Sequence, residues 1–300
     1  MQNDVIMDRS KESQTAQTLR VKPKWHMTVL HIVYYLILAL FLVFYILPFW
    51  GAIVNSFKIN ADAVSSPMSL PREWTLSGYR NALDELSVSL LNTLVVTIFG
   101  AAGSVFLGSI CAYALGKWRF KLNNLFFVLL VAATYLPFQA ILIPLLETMT
   151  NLGVYDNIWG IVLAHSVFGM PMCTTMMRGY YAEVPDALIR QAMIDGNGMW
   201  QIYRKIVVPN TKLATITTFV FQCTSIWNEM LFALVLAAQG NGAKAAMATI
   251  IVQGFASGNT VDIPQLMAGS MILALPMLII YIFMGKYLIS GQMSGAVTAS

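Results

Sequence analysis

Charged side chains are scarce in this sequence of 300 residues. Asp, Glu, Lys and Arg make up 11% of it, and 57% of the residues are hydrophobic. An ordinary soluble domain has roughly 25% charged residues, so water is excluded as the main solvent of this chain. The net charge is +4, but no basic run alternates with exposed aromatic residues on a soluble domain. A nucleic-acid partner is therefore not expected.

Cysteine is also scarce. Cys111, Cys173 and Cys223 all lie in apolar segments and show no Cys-x-x-Cys spacing. This pattern favours small buried hydrophobic side chains over a metal or redox site. We therefore expect no metal ligands and no catalytic residues in this chain.

Long charge-free runs are what the sequence has instead. A helix needs about 20 apolar residues to cross a bilayer core about 30 Å thick. Six intervals between charges are long enough, and the fifth contains Glu229 as its one charge. They lie between residues 24 and 58, 85 and 117, 121 and 147, 156 and 178, 212 and 244, and 262 and 286. The sequence predicts an all-α polytopic membrane protein with six transmembrane helices.

The positions of Lys and Arg predict the orientation of these helices. With the N-terminus inside, the cytoplasmic pieces are residues 1–27, 116–122, 178–212 and the C-terminal end, and they hold 14 of the 18 basic residues. Because positively charged flanks resist translocation, we expect both termini in the cytoplasm. The first apolar run exceeds a signal-peptide core of about 7–15 residues, so we expect an uncleaved helix.

The predicted spans divide the chain into five regions. They are a cytoplasmic tail (1–27), a first transmembrane helix (28–54), an external loop (55–87), a core of five helices (88–285) and a cytoplasmic tail (286–300). In the external loop, Thr75 or Ser77 is suited to cap a short helix that ends near Leu86. Pro137 and Pro144 lie seven residues apart in the third span, where they indicate either close packing or a kink that gates a path.

The longest cytoplasmic piece inside the core, residues 180–212, has a pattern of its own. Pro185 with Asp186 suits a helix start, and Gly196 with Gly198 suits its end. A second amphipathic stretch covers residues 199–208 and is expected to end at Pro209. We expect positive φ at Gly196, where the first helix must turn sharply into the second. The pattern predicts a docking element just under the membrane, which we call the coupling loop.

Several motifs resemble those of one protein family. Ala192-Met193-Ile194-Asp195-Gly196, followed by Ile206 and Val208-Pro209, is similar to E-A-A-x-x-x-G-x(9)-I-x-L-P, the coupling motif of binding-protein-dependent ABC import permeases. Further matches resemble the carbohydrate-uptake branch, the relatives of the smaller maltose permease subunit, and they are Asn92-Thr93, Tyr113-Ala114-Leu115, Leu136-Pro137 and Trp227-Asn228-Glu229. The resemblance runs from about residue 28 to Gly295 and implies a type I ABC importer permease fold.

The resemblance implies which residues couple the permease to an ATPase. They are Asp186, Leu188, Arg190, Gln191, Ala192, Asp195, Gly196, Ile206 and Pro209. Arg190 stands where the motif has Glu and Gln191 where it has its first Ala, so the salt bridge that the family's Glu makes with the ATPase does not carry over. The alternative for this segment is an amphipathic loop that lies on anionic lipid.

The resemblance also implies the partners. An importer of this family has two permease subunits, here expected to be a heterodimer, two cytoplasmic ATPases and an external solute-binding protein, in the inner or cytoplasmic membrane of a prokaryote. The chain lacks a Gly-x-x-x-x-Gly-Lys-Ser/Thr phosphate loop, since Trp118 follows Gly116-Lys117 and Tyr287 follows Gly285-Lys286. We therefore expect no enzyme activity and no cofactor in this chain, with ATP and Mg bound by the partner ATPase.

Polar residues near the middle of the spans are candidates for a solute path. They are Gln139, His165, Gln222, Asn228 and Glu229, with the aromatic residues Tyr135, Phe168 and Trp227 close in sequence. Aromatic faces and hydrogen-bonding side chains suit a sugar, and the resemblance implies a mono- or oligosaccharide. A polyol, uronate or glycerol-phosphate remains an alternative.

A secondary transporter driven by an ion gradient is the alternative from another class of protein. Such a transporter would need ionisable groups in mid-membrane, where an isolated charge costs at least a few kcal/mol. Glu229 and His165 are the candidates for that role. Residues 237–265 are expected to lie on the external side of the membrane, opposite the coupling loop. They contain Gly240-Asn241-Gly242 and are expected to present a loop to the binding protein.

Overall fold

The protein is helical throughout the part of the chain that the computed structural model describes, which is residues 25–118, 120–238, 244–257 and 261–297, and no strand occurs there. The helices are α1 (Trp25–Asn55), α2 (Asn60–Ser65), α3 (Ser77–Lys117), α4 (Asn123–Thr134), α5 (Phe138–Asn151), α6 (Ile158–Glu183), α7 (Asp186–Ile194), α8 (Met199–Ile202), α9 (Val208–Asn210), α10 (Lys212–Asn228), α11 (Leu231–Leu236), α12 (Ala248–Phe255) and α13 (Ile263–Val297). The expected Gly240-Asn241-Gly242 loop lies outside the described residues.

Two units make up the chain. The first is Met1–Gly51, and the second is Ala52–Ser300. The described part of the first unit is residues 25–51, which form most of α1. In α1, residues 32–50 carry no ionisable side chain other than tyrosine. This helix is therefore long and apolar enough to cross a membrane by itself.

Four helices in the described residues are long and apolar enough to cross a membrane. They cover residues 31–55, 77–117, 158–183 and 263–285, and α4 with α5 adds a fifth span if this bent pair is counted as one. The remaining predicted span is divided, because α10 has 17 residues and α11 only six. The count of six transmembrane helices therefore stays a prediction.

The third predicted span is sharply bent. The axes of α4 and α5 differ by 97°, and Pro137 is the N-cap residue of α5. Proline has no N–H to donate and disfavours helical geometry at the preceding residue, here Leu136. Pro144, by contrast, lies inside α5 without ending it. The bend thus has one identifiable cause, which is Pro137.

The pair formed by α3 and α6 is the centre of the second unit. The two backbones approach closely at small residues: a Cβ added to Gly108 would lie 2.5 Å from Cys173 Cβ. Ser104 Oγ donates a hydrogen bond of 2.7 Å to the carbonyl of His165. Small residues and interhelical hydrogen bonds are what holds helices together in a bilayer, where lipid tails remove the hydrophobic driving force.

The N-terminal part of α3 differs from the short external helix that the sequence predicts. Thr75 Oγ1 accepts a hydrogen bond from the N–H of Ser77, and the helix that starts there continues without a break to Lys117. At about 1.5 Å per residue, its 41 residues extend for about 60 Å. This length is about twice the thickness of the hydrocarbon core.

Candidate functional site

The coupling loop is attached to the end of α3 by a lysine. Lys117 Nζ donates to Asp186 Oδ1 at 2.9 Å and to the carbonyl of Val184 at 2.7 Å. The Lys117 side chain is 4% exposed, while that of Asp186 is 61% exposed. The start of α7 is therefore held next to the end of α3 by hydrogen bonds to one buried ammonium group.

A tight turn joins α7 to α8, as the sequence predicts. Gly196 has a φ of +81°, and the N–H of Asn197 donates to the carbonyl of Ala192 at 2.9 Å. The N–H of Gly198 then donates to Gln201 Oε1 at 3.0 Å, which caps α8. The expected positive φ at Gly196 is confirmed.

The second half of the coupling loop is less regular than the amphipathic stretch that the sequence predicts. A π-helical turn, Tyr203–Val207, separates α8 from α9, and Pro209 lies inside α9 instead of ending the stretch. Such π-helical turns are rare and occur frequently at functional sites.

One face of the coupling loop belongs to the core. Ile189 and Ala192 are buried in a cluster with Tyr113 of α3 and with Met177 and Tyr181 of α6. Buried apolar contact of this kind fixes the position of a short helix that would not be stable alone. The coupling loop is therefore part of the same folded unit as α3 and α6.

Hydroxyl groups reinforce this attachment. Ser109 Oγ lies 2.5 Å from the hydroxyl of Tyr181 and 2.6 Å from that of Tyr203, so it joins α3, α6 and the π-helical turn. The hydroxyl of Tyr113 donates to the carbonyl of Met199 at 2.9 Å. Buried polar networks with every group paired give a packing a single defined geometry.

The opposite face of the coupling loop is exposed and partly apolar. Ile194 is 86% exposed and Trp200 is 50% exposed, and Leu188 and Met193 are also exposed. Among the other residues that the resemblance assigns to coupling, Arg190, Gln191, Asp195, Gly196 and Pro209 are exposed, Ala192 is buried and Ile206 is half-buried. An exposed apolar surface rimmed by polar side chains is typical of a protein interaction site.

A cavity of about 430 Å³ lies where the α4–α5 bend faces α6, α10 and α11. Three of the five predicted solute-path residues line it, namely His165, Gln222 and Glu229. Gln139 is exposed on α5, and Asn228 is exposed with its Nδ2 donating to the carbonyl of Thr224. These two residues are not among the residues that line the cavity.

Glu229 is stabilised by backbone groups. Its two carboxylate oxygens accept hydrogen bonds from the N–H of Leu231 at 2.6 Å and of Phe232 at 3.0 Å, and its Oε2 lies 3.9 Å from His165 Nε2. The carboxylate thus pairs the first free N–H groups of α11, where negative charge is favoured. These contacts explain why the fifth predicted span breaks at this residue.

Aromatic rings form the apolar part of the cavity. Phe232 lies 5.2 Å from Phe138, 5.5 Å from Phe168 and 5.1 Å from the His165 ring, measured between ring centroids. Of the aromatic residues named from the sequence, Phe168 lines the cavity, Tyr135 is exposed, and Trp227 is buried with its Nε1 donating to the carbonyl of Leu273.

Sequence reasoning missed several residues of this cavity. They include Thr134, Phe138, Phe221, Ser225 and Phe232. Phe138 directly follows Pro137, and Phe232 lies three residues after Glu229, so a search around the helix-breaking residues would have found both. Nothing in the sequence pattern distinguishes Thr134, Phe221 or Ser225 from other residues of the spans.

Together, the long apolar helices, the bent helix pair, the cavity and the exposed coupling loop define a class: a helical, multi-pass membrane protein. The family model described as "Binding-protein-dependent transport system inner membrane component" matches residues 104–291. The chain belongs to this family of ABC transporter permeases.

Individual relatives agree with this membership. A probable ABC transporter permease protein of Pyrococcus horikoshii is 37% identical over 87% of this chain and 95% of its own length. A xylose/arabinose import permease protein of Haloferax volcanii is 31% identical over 86% of this chain and 90% of its own. Among solved structures, a bacterial ABC transporter involved in alginate import has a TM-score of 0.72, with 22% identity over 87% of this chain and 96% of that one. The fold is therefore the type I ABC importer permease fold.

Proposed function

We propose that this chain is a permease subunit of an ATP-driven ABC importer, that it forms half of the translocation path for a sugar, and that an external solute-binding protein delivers the sugar. The observation that carries this proposal is the coupling loop, which is attached to α3 and α6 by buried side chains on one face and exposes apolar side chains on the other. Family membership supports the same role.

The proposal assigns sides of the membrane to the described elements. Six spans are obtained when α4–α5 and α10–α11 are each counted as one broken helix. An even number of spans puts both termini on the same side, and the positions of Lys and Arg make that side, with the coupling loop, cytoplasmic. Residues 1–27 and 286–300 are then cytoplasmic tails, 55–87 an external region and 88–285 the core. Broken helices are tolerated at membrane depth where they line a cavity, and both breaks lie beside the cavity.

The proposal also assigns the partners. The exposed face of α7 and α8 receives one of two ATPase subunits, which bind ATP and Mg, and a second, different permease chain completes the path in a prokaryotic cytoplasmic or inner membrane. The coupling residues are those that the family motif implies, namely Asp186, Leu188, Arg190, Gln191, Ala192, Asp195, Gly196, Ile206 and Pro209. Ala192 acts here by anchoring the loop, since it is buried.

A neutral sugar fits the cavity best. Rings of Phe138, Phe168 and Phe232 offer apolar faces, and Gln222, Ser225 and His165 offer hydrogen-bonding groups. No Lys or Arg occurs among the lining residues that the structure describes. A uronate or a phosphorylated solute would therefore meet the Glu229 carboxylate without a compensating cation, which disfavours it.

The test is transport by the complex that is purified through a tag on this chain and reconstituted in vesicles with its binding protein. We expect accumulation of a neutral pentose or hexose that requires ATP and the binding protein together. Uptake by vesicles that contain no ATPase subunit, driven by an ion gradient, would contradict the proposal. Competition by neutral sugars but not by uronates would support the assignment of the solute.

A further inference from the structure

Asp156 joins several stretches of chain on the side of the cavity opposite the coupling loop. It lies in the connection between α5 and α6 and has a φ of 51°, which is unusual for a residue other than glycine. Its N–H donates to the carbonyl of Leu236 at 2.9 Å, at the end of α11. Its Oδ1 accepts from the N–H of Ala238 at 3.1 Å and of Ala245 at 3.2 Å.

A third backbone group completes this arrangement. Asp156 Oδ2 accepts from the N–H of Lys244 at 3.3 Å. Burial acts to raise the pKa of Asp156, but the three backbone N–H groups, together with the charge of Lys244, lower it below its ordinary value. The side chain is therefore an anion at neutral pH, the form that accepts hydrogen bonds most strongly.

The same stretch of chain is held from a second direction by α3. Asn92 Nδ2 donates to the carbonyls of Lys244 at 3.2 Å and Ala246 at 3.0 Å, and Thr93 Oγ1 accepts from the N–H of Ala248 at 2.9 Å. Residues 237–238 and 244–248, which we call the outer segment, are thus held by the side chain of Asp156 and by side chains of α3.

The outer segment continues directly from the wall of the cavity. The link is α11, whose Phe232 lines the cavity beside His165 and whose first N–H groups are paired with the Glu229 carboxylate. Phe232, Ala233 and Leu236 of α11 pack in one buried cluster with Ala245 and Met247 of the outer segment. The Glu229 carboxylate therefore holds the first turn of α11, the backbone N–H of Asp156 holds its last carbonyl, and the Asp156 carboxylate holds Ala238 just beyond that end.

We infer that Asp156 is a positioning residue that makes α11 and the outer segment one rigid unit, so that a displacement of the outer face of the permease by the binding protein reaches the cavity through α11. This inference rests on the proposed function, because it takes the outer segment to lie on the external side. Beyond that function, the inference names α11 as the element that transmits the displacement and Asp156 as the residue that keeps α11 and the outer segment rigid.

A merely local role of Asp156 predicts something different. In that case, removal of the carboxylate would loosen residues 238 and 244–245 and leave the cavity unaffected. If α11 transmits displacement, the cavity must respond to a change at Asp156, although Asp156 is not among its lining residues. The decisive measurement is therefore made at the cavity and not at the outer segment.

The test uses the complex purified through a tag on this chain. Ser225→Cys, in a Cys111→Ser background, reports on the cavity through its rate of labelling by a maleimide, since Ser225 lines the cavity and Cys173 and Cys223 are buried. Labelling is compared between the nucleotide-free complex and the complex trapped with ATP and vanadate. Asp156→Ala, Asp156→Asn and the exposed control Asp84→Asn are introduced into this background.

We expect Asp156→Ala to speed amide exchange at residues 238 and 244–245 by about tenfold, because each loses a bond to a charged acceptor. The ratio of labelling rates between the two states should fall by about threefold. Asp156→Asn, whose carbonyl can keep the bonds from Ala238 and Ala245, should give an intermediate ratio. Asp84→Asn should keep the wild-type ratio.

Two outcomes would overturn different claims. Faster exchange in Asp156→Ala with a wild-type labelling ratio would show a local role and refute the inference, while the proposed function would stand. A wild-type complex that contains no ATPase, or whose labelling does not respond to nucleotide, would refute the proposed function itself.

Discussion

At the scale of single residues, Gly196 determines how α7 turns into α8. Its φ of +81° lies in the left-handed region, although no atom lies within 4 Å of the position that a Cβ would take. The requirement is thus one of backbone geometry and not of space. A β-branched residue at this position is strained by about 1–2 kcal/mol or more.

We therefore predict that Gly196→Val uncouples the transporter while the chain still inserts into the membrane. ATP hydrolysis should no longer respond to the loaded binding protein, or the ATPase should dissociate, because α7 and α8 no longer present one surface. The measurement is transport together with stimulated ATPase activity in vesicles. Gly198→Ala is the control and should transport normally, since Gly198 has a φ of −73° and equally open surroundings. Wild-type transport by Gly196→Val would disprove the role of the turn.

Glu229 illustrates a different kind of residue, one whose charge is used by the fold. Its carboxylate pairs the N–H groups of Leu231 and Phe232, and a buried N–H without a partner costs about 1–3 kcal/mol. We predict that Glu229→Leu lowers the apparent unfolding temperature of the complex by several degrees, whereas Glu229→Gln, which keeps one acceptor oxygen, lowers it less. Thermal unfolding of the complex in detergent measures this. Equal unfolding temperatures for Glu229→Leu and Glu229→Gln would show that capping of α11 by residue 229 is unimportant.

At the scale of elements, the two faces of α7 should respond differently to substitution. Ile189 is 4% exposed and packs against α3 and α6, while Ile194 is 86% exposed. We predict that Ile189→Ala destabilises the permease by about 2–5 kcal/mol, as core truncations do. Ile194→Ser should leave its stability unchanged but weaken retention of the ATPase, as judged by the amount that co-purifies. Equal ATPase retention in both variants would contradict a docking face at Ile194.

Element boundaries show how far the sequence alone could lead. The coupling loop was predictable because glycine, proline and the apolar spacing all act locally at 185–209. The continuous α3 was not, since the charges at Arg80, Asp84 and Glu85 indicate a polar external helix but do not tell whether it merges with the following span. The breaks at Pro137 and Glu229 were not predicted, because the apolar residues continue on both sides of each and the charge-free intervals alone do not show where a helix is interrupted.

The cavity was predictable in part for the same reason. His165, Gln222 and Glu229 are rare polar groups in apolar runs, so sequence reasoning selected them, and the structure brings them together. Gln139 and Asn228 were selected by the same rule, but both are exposed and neither lines the cavity. The rule selects polar residues within apolar runs and carries no information on the direction in which each side chain points.

At the scale of the whole molecule, the proposed topology can be checked directly. Reporter domains fused after Lys121 or at Gln201 should be active only as cytoplasmic reporters, and fusions at Pro71 or at Asn241, which lies outside the described residues, only as external ones. The reason is that 14 of the 18 basic residues fall on the cytoplasmic side in this arrangement. A cytoplasmic signal at Pro71 would refute the six-span topology.

The length of α3 has a mechanical consequence. This one helix holds the outer segment through Asn92 and the coupling loop through Lys117, two residues that are about 37 Å apart along its axis. A helix of that length acts as a lever: a tilt of about 5° around one end sweeps the other through an arc of about 3 Å. That arc is about the length of a hydrogen bond. Under the proposed function, a small rotation imposed at the coupling loop would therefore be enough to exchange one set of contacts at the far end of α3 for another.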